Sequence, residues 1–473
     1  MKALKSLLDR IAQRVNINLR ELAFDVTPIA RHLVPPKQMT KFYAFYGITP
    51  NHPLSLEFRH SSLAGSYFLG RCRTNHSILY KTDIRGDELQ KKGATFTFDG
   101  HVITLAEDEI IDVQDSFLVK TLVHSYSHDP ESRERFFITN TISCHYANIH
   151  GAPTDGSFLG PFATVDLTTM YDCAIGAYSY IQAGEIGHFQ TEPGTVWARS
   201  RGDFNFVYKH PADRLRHYID FTPGKAPTGV FMDFLEARKK DFERVFDVVN
   251  LQKPKGIPAD ASLDRYAVIK PKMHIAENVL VAQRAYLENS WLGKGANAQE
   301  NCYILNSRLE GYNVTAHGAK IIDADLGRRV FVGFNSFLRG RPGCRLVIGG
   351  GTIVMPHTII DIDRPLTIPE NHFVWGMITS AADLESHSMS LEDFARIDGR
   401  LFRGNLLFEG SGEAFVTGFQ KRIEHILLDN GALYDGKRYK GHAQRNQNIS
   451  VNTIQPYPEG TLKGLYPTIV IQP

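Results

Sequence analysis

The sequence predicts a mainly β fold: two β-solenoids of triangular cross-section, with flanking helices and a mixed C-terminal extension. Short apolar steps recur about six residues apart from Ser61 to Trp197, and they return more regularly at Ile257. In the second stretch four pairs of neighbouring residues repeat every seventeen residues, close to three sixes: Ile275-Ala276, Leu292-Gly293, Leu309-Glu310 and Leu326-Gly327. A fixed period indicates one structural unit per repeat, and stacked units of three short strands bury a continuous core. A β-sandwich with accidental spacing is the alternative.

Length, charge and cysteine usage favour a multidomain cytoplasmic protein. A chain of 473 residues is too long for a single hydrophobic core of ordinary size, so two or more domains are expected. Its net charge of +2 gives no electrostatic case for nucleic acid or an anionic membrane as partner. No apolar run is long enough to span a bilayer, and the N-terminus is too charged for a signal peptide. The five cysteines are scattered and lack CxxC spacing, which favours reduced thiols: Cys72, Cys144, Cys173, Cys302 and Cys344.

The N-terminal half divides into three predicted segments. Residues 1–60 are expected to form a helix and an irregular extension, with one apolar helical face made of Leu4, Leu7, Leu8, Ile11 and Val15. Residues 61–195 form the first solenoid. Residues 196–256 form a loop and helical linker, in which a helix runs from Val230 to Val249 and ends at Lys253-Pro254-Lys255-Gly256.

Two further segments complete the chain. Residues 257–380 form the second solenoid, closed by a coil at 368–376. In the extension, 381–473, Ser390-Leu391-Glu392-Asp393 is typical of a helix start with a capping box. A helical stripe from Phe415 to Leu427 ends at Asn430-Gly431, and a strand is expected at Thr468–Ile471.

Histidines in the first solenoid indicate a metal site. Arg85-Gly86-Asp87 is followed by His124 and then by a run that begins at His145 and ends at His150-Gly151. Three neutral imidazoles suit Zn²⁺, Co²⁺ or Fe²⁺ and leave a coordination position open. On a flat strand, His145 and His150 would project from opposite faces. We therefore expect them not to meet at one metal within one chain.

These motifs resemble those of the γ-class carbonic anhydrases, in the left-handed parallel β-helix (hexapeptide-repeat) superfamily. The segment 68–87 is similar to the family's run into Arg-Gly-Asp, and Gln114-Asp115 stands for its Gln-Asp pair. His124 and the segment 145–151 follow the order of its His and His-x-Ala-x-(Leu/Ile)-His-Gly motifs. The chain departs from the pattern in an insertion of about twenty-five residues after Asp87, with a hairpin expected at 95–104 that turns at Asp99-Gly100. The resemblance covers roughly 61–195 and 257–380.

The resemblance implies a homotrimer with the metal site at the subunit interface. By it, His124 and His150 would bind the metal from one chain and His145 from the next. Arg85 and Asp87 would pair across the trimer and orient the ligands, and Gln114 would be the third catalytic residue. The metal, Zn²⁺ (or Fe²⁺/Co²⁺), would supply a bound hydroxide that attacks CO₂ or a related carbonyl. Three acidic residues after His124 are proton-shuttle candidates by proximity in sequence: Asp129, Glu131 and Glu134.

The second solenoid carries a degenerate copy of the pattern. Arg284 and Asn297-Ala298-Gln299-Glu300 match it, but Leu305 stands where the first histidine belongs. Tyr312 replaces the second histidine, and His317 alone remains. Leucine is no ligand, so we expect a tandem duplication with one complete ligand set.

Two other functions remain open. In a CoA-dependent acyltransferase, one histidine would be the general base, for which the candidates are His317, His188 and His210. The basic residues Arg199, Arg201 and Lys209 would then meet the CoA phosphates. The third possibility is a non-catalytic scaffold or assembly subunit. Metal with water exchange favours the first function, and CoA binding without metal favours the acyltransferase.

Overall fold

The computed structural model describes residues 2–40, 44–48, 55–98, 100–125, 135–247, 256–454 and 459–471. It separates into two compact units. Unit 1 comprises Met1–Thr195, Ala212–Gly229 and Asn448–Pro473, and unit 2 comprises Val196–Pro211 and Val230–Gln447. Each unit contains a parallel β-helix, so the predicted fold class is confirmed.

Within the described residues, the β-helix of unit 1 has three parallel sheets, named here S1, S2 and S3. The parallel strands of S1 are Ala44–Ile48, Tyr67–Gly70, Asp83–Gly86, Leu122–His124, Asn148–His150, Thr164–Asp166 and Tyr180–Gln182. Those of S2 are Leu56–Ser61, Cys72–Asn75, Ile110–Gln114, Arg135–Thr139, Thr154–Asp155, Thr168–Tyr171 and Gly184–Gly187. Those of S3 are Ile78–Tyr80, Phe117–Val119, Ile142–Ser143, Phe158–Leu159 and Ala174–Ile175.

The N-terminal helix covers the outer face of S3. The helix Lys2–Asn18 buries the predicted face, Leu4, Leu7, Leu8, Ile11 and Val15, which confirms this prediction. These side chains share one apolar cluster with Ile78, Phe117 and Phe158 of S3. Shorter helical segments of unit 1 lie at Leu19–Leu22, Thr27–Ala30, Pro36–Met39 and Ala212–Tyr218.

The β-helix of unit 1 begins earlier than the sequence predicts. The segment 1–60, expected to be irregular after its helix, contains the strand Ala44–Ile48 and most of Leu56–Ser61. Both are edge strands whose outer partners are distant in sequence: the antiparallel strands Ser450–Ile454 and Tyr466–Ile471 pair with them. The second partner confirms the strand expected at Thr468–Ile471. A local pattern does not reveal such long-range pairing, which is why the sequence analysis was wrong here.

Insertions lengthen two coils without disturbing the register. One coil advances sixteen residues between His150 and Asp166, but thirty-nine between Ser77 and Ser116 and twenty-six between Lys120 and Tyr146. The longer insertion holds the predicted hairpin, Thr95–Phe98 paired with His101–Thr104, which is confirmed. Asp99 lies outside the described residues. The inserted residues therefore lie outside the stacked coils, and the strands that follow them pair in the same register as before.

In the described part of unit 2, three parallel sheets, named S4, S5 and S6, form the second β-helix. The parallel strands of S4 are Ser262–Leu263, Leu280–Val281, Asn297–Ala298, Val314–Thr315, Phe331–Val332, Ile353–Val354 and His372–Val374. Those of S5 are Val268–Ile269, Tyr286–Glu288, Tyr303–Leu305, Lys320–Ile322, Phe337–Arg339, Ile359–Asp361 and Met377–Ile378. Those of S6 are His274–Ile275, Trp291–Leu292, Arg308–Leu309, Ala324–Leu326, Leu346–Ile348 and Leu366–Ile368.

The predicted seventeen-residue period of unit 2 is confirmed, because residues seventeen apart are paired on neighbouring strands. Ile275, Leu292, Leu309 and Leu326 are direct partners on neighbouring strands of S6. All four are buried in one apolar cluster. Each period therefore contributes one side chain per sheet to a continuous core, as a stacked repeat requires.

The linker 196–256 differs from its prediction. It contains the strands Thr195–Ser200 and Phe204–Lys209, the second of which pairs with Leu406–Ser411. Within the described residues the predicted helix from Val230 to Val249 is two helices, Val230–Glu236 and Lys239–Asp247. Its predicted end at 253–255 lies outside the described residues. Phe234 and Phe242 both contact the Tyr303 ring. A turn at residues 237–238 separates the two helices.

The C-terminal extension within unit 2 agrees with its predicted helices. Ser390 caps the helix Leu391–Ala395 by accepting a hydrogen bond from the backbone of Asp393. The long helix is Gly412–Asp429, and it buries Phe415, Phe419 and Leu427 of the predicted stripe. The other two members, Ile423 and Ile426, are half-buried. Further helices are Ala381–His387, His442–Arg445 and Asn446–Asn448, and further strands are Ser388–Ser390 and Asp398–Arg403. Among the described residues, no helix has the length and apolar character needed to cross a membrane.

We expect Leu309→Ala to lower the free energy of unfolding by about 2–5 kcal/mol, because it leaves a cavity in a packed core. Denaturant unfolding of the full chain measures this. Thr367→Ala, on an exposed position of S6, is the control and should change the value by less than about 0.5 kcal/mol. A loss below about 1 kcal/mol for Leu309→Ala would contradict the stacked-core register.

Candidate functional site

Four polar residues form one row on S1. Arg85, His124, His150 and Asp166 are direct partners on consecutive strands. Neighbouring strands lie about 4.8 Å apart, and residues in parallel register point to the same side. The preceding residue of each strand is a fully or almost fully buried aliphatic, which faces the coil interior. The row therefore projects outward from the coil, although all four side chains are buried.

Asp166 orients the imidazole of His150. Its Oδ1 lies 2.8 Å from His150 Nδ1, and its Oδ2 accepts a hydrogen bond of 2.6 Å from the Tyr180 hydroxyl. Because a carboxylate only accepts, the neutral His150 carries its proton on Nδ1 and has its lone pair on Nε2. The second nitrogen is therefore prepared to take a proton or to bind a metal.

His124 lies against His150 with its own carboxylate neighbour. The two ring centroids are 4.9 Å apart, with the rings at 73°. Their ligand nitrogens lie within 4.8 Å of one another. His124 Nε2 is 3.1 Å from Glu88 Oε2. The structure thus brings together two of the three predicted metal ligands.

Arg85 and Asp87 form a buried ion pair at one end of the row. Arg85 Nε donates to Asp87 Oδ1 at 3.0 Å, and Nη2 donates to Oδ2 at 2.5 Å. The side chains are only 7% and 2% exposed. A bidentate pair of this kind satisfies both charges locally. Within this chain the two residues pair with each other, whereas the resemblance implied pairing across a trimer.

His145 lies away from the other two predicted ligands. It occupies a turn before the strand Asn148–His150, so the flat-strand geometry assumed from sequence is wrong. Its ring is near Tyr146, whose hydroxyl accepts a hydrogen bond from Lys120. Burial, together with the Lys120 charge, lowers the pKa of His145 to about 3. Among the described residues no metal-competent cluster includes His145.

Gln114 is on a different sheet from the row. It ends the S2 strand Ile110–Gln114, and its amide donates to both oxygens of Asp112 at 3.2 Å. Asp112 also accepts from Arg135 at 2.6 Å. In this chain Gln114 therefore belongs to a hydrogen-bonded group on S2, while the row lies on S1. The shuttle candidates Asp129, Glu131 and Glu134 lie outside the described residues.

The histidines considered for acyl transfer occupy three different environments. His188 is 62% exposed, 3.7 Å from Asp172. Nε2 of His210 donates to the carbonyl of His357 at 2.9 Å. In unit 2, His317 Nδ1 is 2.7 Å from Glu300 Oε2, with both side chains buried. The last arrangement is a second buried contact between a histidine and a carboxylate.

The three residues of the basic run have different surroundings. The Arg199 guanidinium lies 5.0 Å from the centre of the Trp197 ring. Arg201 is in the exposed turn before the next strand, and Lys209 is the last residue of that strand.

The sequence analysis missed Asp166, Tyr180 and Glu88. Asp166 is one sixteen-residue coil beyond His150, so counting one coil onward from each histidine would have found it. Tyr180 is in the next strand of S1. Glu88 directly follows the Arg-Gly-Asp motif, but its contact with His124 depends on the pairing of the strands Asp83–Gly86 and Leu122–His124.

Comparison with known proteins agrees with the fold. A family described as hexapeptide repeat including loop matches residues 101–223. A crystal structure from Desulfovibrio desulfuricans G20, described as a candidate acetyltransferase, is 52% identical, with a TM-score of 0.94, and the match covers 100% of this chain and 99% of that one. No curated protein matches.

Two other matches are distant. A hexapeptide transferase family protein from Anaplasma phagocytophilum is 13% identical over 35% of this chain and 90% of its own, with a TM-score of 0.21. A mutant perosamine N-acetyltransferase from Caulobacter crescentus, in complex with CoA and GDP-perosamine, is 19% identical over 36% of this chain and 81% of its own, with a TM-score of 0.15. These two carry no functional argument.

The fold and the repeats define a β-helix protein of the hexapeptide class. The full-length similarity identifies the superfamily. The chain belongs to the acetyltransferase-like, left-handed β-helix superfamily of hexapeptide-repeat proteins.

His145 makes the stability of the chain sensitive to acid. Its folded pKa of about 3 lies below the ordinary value of 6.5, so the unfolded chain takes the proton first as the pH falls. The stabilisation is complete above pH 6.5 and is lost progressively towards pH 3. We expect wild type to lose about 2 kcal/mol more than His145→Leu between pH 6.5 and 4.5. Urea unfolding of chelator-treated protein measures this, with His188→Leu as control. Equal losses in wild type and His145→Leu would contradict the burial argument.

Proposed function

We propose that this protein is an acyltransferase that moves an acyl group from a CoA thioester to a hydroxyl or an amine. The main observation in support is that His150, Asp166 and Tyr180 are buried and joined by hydrogen bonds. Asp166 holds His150 Nδ1 at 2.8 Å, which leaves Nε2 as the basic atom. The sequence analysis considered His317, His188 and His210 for this role, and we assign it to His150 instead.

The proposed reaction needs one general base. His150 Nε2 takes the proton from the acceptor, whose oxygen or nitrogen attacks the thioester carbonyl. The tetrahedral intermediate expels the CoA thiolate, which receives the proton from His150. Asp166 stabilises the imidazolium that exists between these steps, and Tyr180 keeps Asp166 in place by hydrogen bonding to its second oxygen.

The comparisons support the transferase class more than a carbonic anhydrase. The full-length relative is 52% identical and is described as a candidate acetyltransferase. Its identity lies far above the level at which similarity reflects the fold alone. Acyl transfer was the stated alternative of the sequence analysis, and it becomes the main proposal.

We expect His150→Gln to lower the rate of thiol release from acetyl-CoA by about 10²–10⁴-fold, which is the usual contribution of a general base. The assay uses a panel of primary amines and alcohols as acceptors. His188→Gln, on an exposed histidine, is the matched control and should retain the wild-type rate. Undiminished transfer by His150→Gln would refute the assignment.

A metal centre is a second candidate, favoured by the pairing of His124 with His150. Their nitrogens lie within 4.8 Å, and a carboxylate is next to each ring, as is common for zinc-bound histidines. These residues fit two positions of a site for Zn²⁺ (or Fe²⁺/Co²⁺). When bound, such a metal would supply a hydroxide at neutral pH for attack on CO₂ or a related carbonyl. Arg85 and Asp87 would then support the strand that holds His124.

The third ligand of that site stays a prediction. The homotrimer expected from sequence would supply His145 from the next chain. His145 is 7% exposed in its own chain, so its imidazole would need to turn outward to reach a neighbour. The proposed duplication, with a degenerate second copy, is supported by the parallel β-helix in each unit. A reducing, cytoplasmic location is supported by the five unpaired cysteines.

Metal content separates the two functions. In the metal-centre case, mass spectrometry of anaerobically purified protein should find about one metal per chain in wild type and His188→Ala. The double variant His124→Ala/His150→Ala should contain none, and CO₂ hydration should disappear with the metal. His145→Ala should lose metal and trimer together if a neighbouring chain provides that ligand. Metal-free wild type after reconstitution rejects the metal centre and leaves the acyltransferase.

A further inference from the structure

Unit 2 carries an open groove with charged residues in its lining, on the outer side of S6. Its volume is about 440 Å³, and its rim includes Arg308, Arg328, Glu310 and Glu370. Small-molecule sites are typically about 300–1,000 Å³. The groove shares no residue with the S1 row, and none of the functions considered above uses it.

Two arginines are held at the groove without being neutralised. The Arg308 guanidinium lies 5.1 Å from the centre of the Trp291 ring, and that of Arg328 lies 4.6 Å from the Tyr312 ring. Stacking on a ring face fixes a guanidinium but leaves its charge and its hydrogen-bond donors. In the part of the chain that the structure describes, no carboxylate lies within 4.0 Å of either group, whereas Arg345 nearby is paired. Both therefore have donors to offer to an anion.

The acidic residues of the groove fall into two kinds. Asp325 is engaged by Arg345 through two hydrogen bonds of 2.6 and 2.7 Å, and this contact raises the pKa of Arg345. Glu310 and Glu370 are exposed. For neither does the described structure place a cationic side chain within 4.0 Å. After Asp325 is set aside, the groove presents two unpaired cations and two unpaired anions.

We propose that this groove binds a small zwitterion, with a phosphate or carboxylate at Arg308 and Arg328 and an ammonium group at Glu310 and Glu370. A simple anion would meet two carboxylates, and a simple cation would meet two guanidiniums. A ligand that carries both charges satisfies each pair, because complementary potentials select the partner and like charges exclude alternatives. Binding here does not depend on acyl transfer at His150.

The test is ligand binding to the full-length protein. Trp291 is in contact with Arg308, so its fluorescence reports on the groove, and calorimetry gives the stoichiometry. The probes are phosphoethanolamine, ethyl phosphate, which lacks the ammonium group, and β-alanine, which replaces phosphate by carboxylate. The variants are Arg328→Ala and Glu310→Gln, both of which leave the Trp291–Arg308 contact unchanged. Arg396→Ala, an exposed arginine paired with Glu392 and Asp393, is the control.

We expect phosphoethanolamine or β-alanine to bind at least tenfold more tightly than ethyl phosphate, and the tighter of the two identifies the anion. Arg328→Ala should weaken that binding at least tenfold and Arg396→Ala less than twofold. Glu310→Gln should weaken the zwitterion but leave ethyl phosphate unchanged or tighter. Equal affinity for ethyl phosphate and phosphoethanolamine would overturn the proposal in favour of a plain anion site. Binding of no probe at millimolar concentration, with unchanged thermal unfolding of the variants, would also overturn it.

Discussion

The in-register stacking of parallel coils is the constraint on which the rest of this structure depends. A coil that advances by sixteen or seventeen residues returns the chain to the same position on the next strand. Each position of the coil then forms a row of aligned side chains on successive strands. A row that faces the coil interior is aliphatic, and a row that faces outward can be polar. The S1 row owes its geometry to this rule, since Arg85, His124, His150 and Asp166 come from four coils.

Burial explains why the side chains of the row have polar partners. A charge removed from water requires a partner, and outward positions on successive strands, about 4.8 Å apart, can supply one. Arg85 is satisfied by Asp87 in its own coil, and His150 is satisfied by Asp166 from the next coil. A single substitution that removed one partner would leave the other buried and uncompensated, which costs more than the pair contributes.

Much of the fold could be predicted because apolar residues recur in the sequence at the period of the structural repeat. The seventeen-residue period became the S6 register of Ile275, Leu292, Leu309 and Leu326. The apolar face of the first helix and the cap at Ser390 depend on local rules and were also predicted. The strand Ala44–Ile48 was missed because its outer partner is about four hundred residues away.

The site was predicted only in part. His124 and His150 were assigned as ligands from one chain by the family resemblance, but the role of Asp166 required the folded register. His145 was placed on a strand, whereas it lies in a turn, because spacing alone does not locate the corners of a coil. Gln114 was assigned from a motif and lies on another sheet.

The closure of unit 1 has a consequence for its biosynthesis. The strands Ser450–Ile454 and Tyr466–Ile471 complete the edges of S1 and S2, yet the ribosome makes them after all of unit 2. Until then the strands Ala44–Ile48 and Leu56–Ser61 expose unpaired backbone groups to other nascent chains. The edges of S1 and S2 are therefore completed late, when the strands synthesised last pair with strands synthesised among the first.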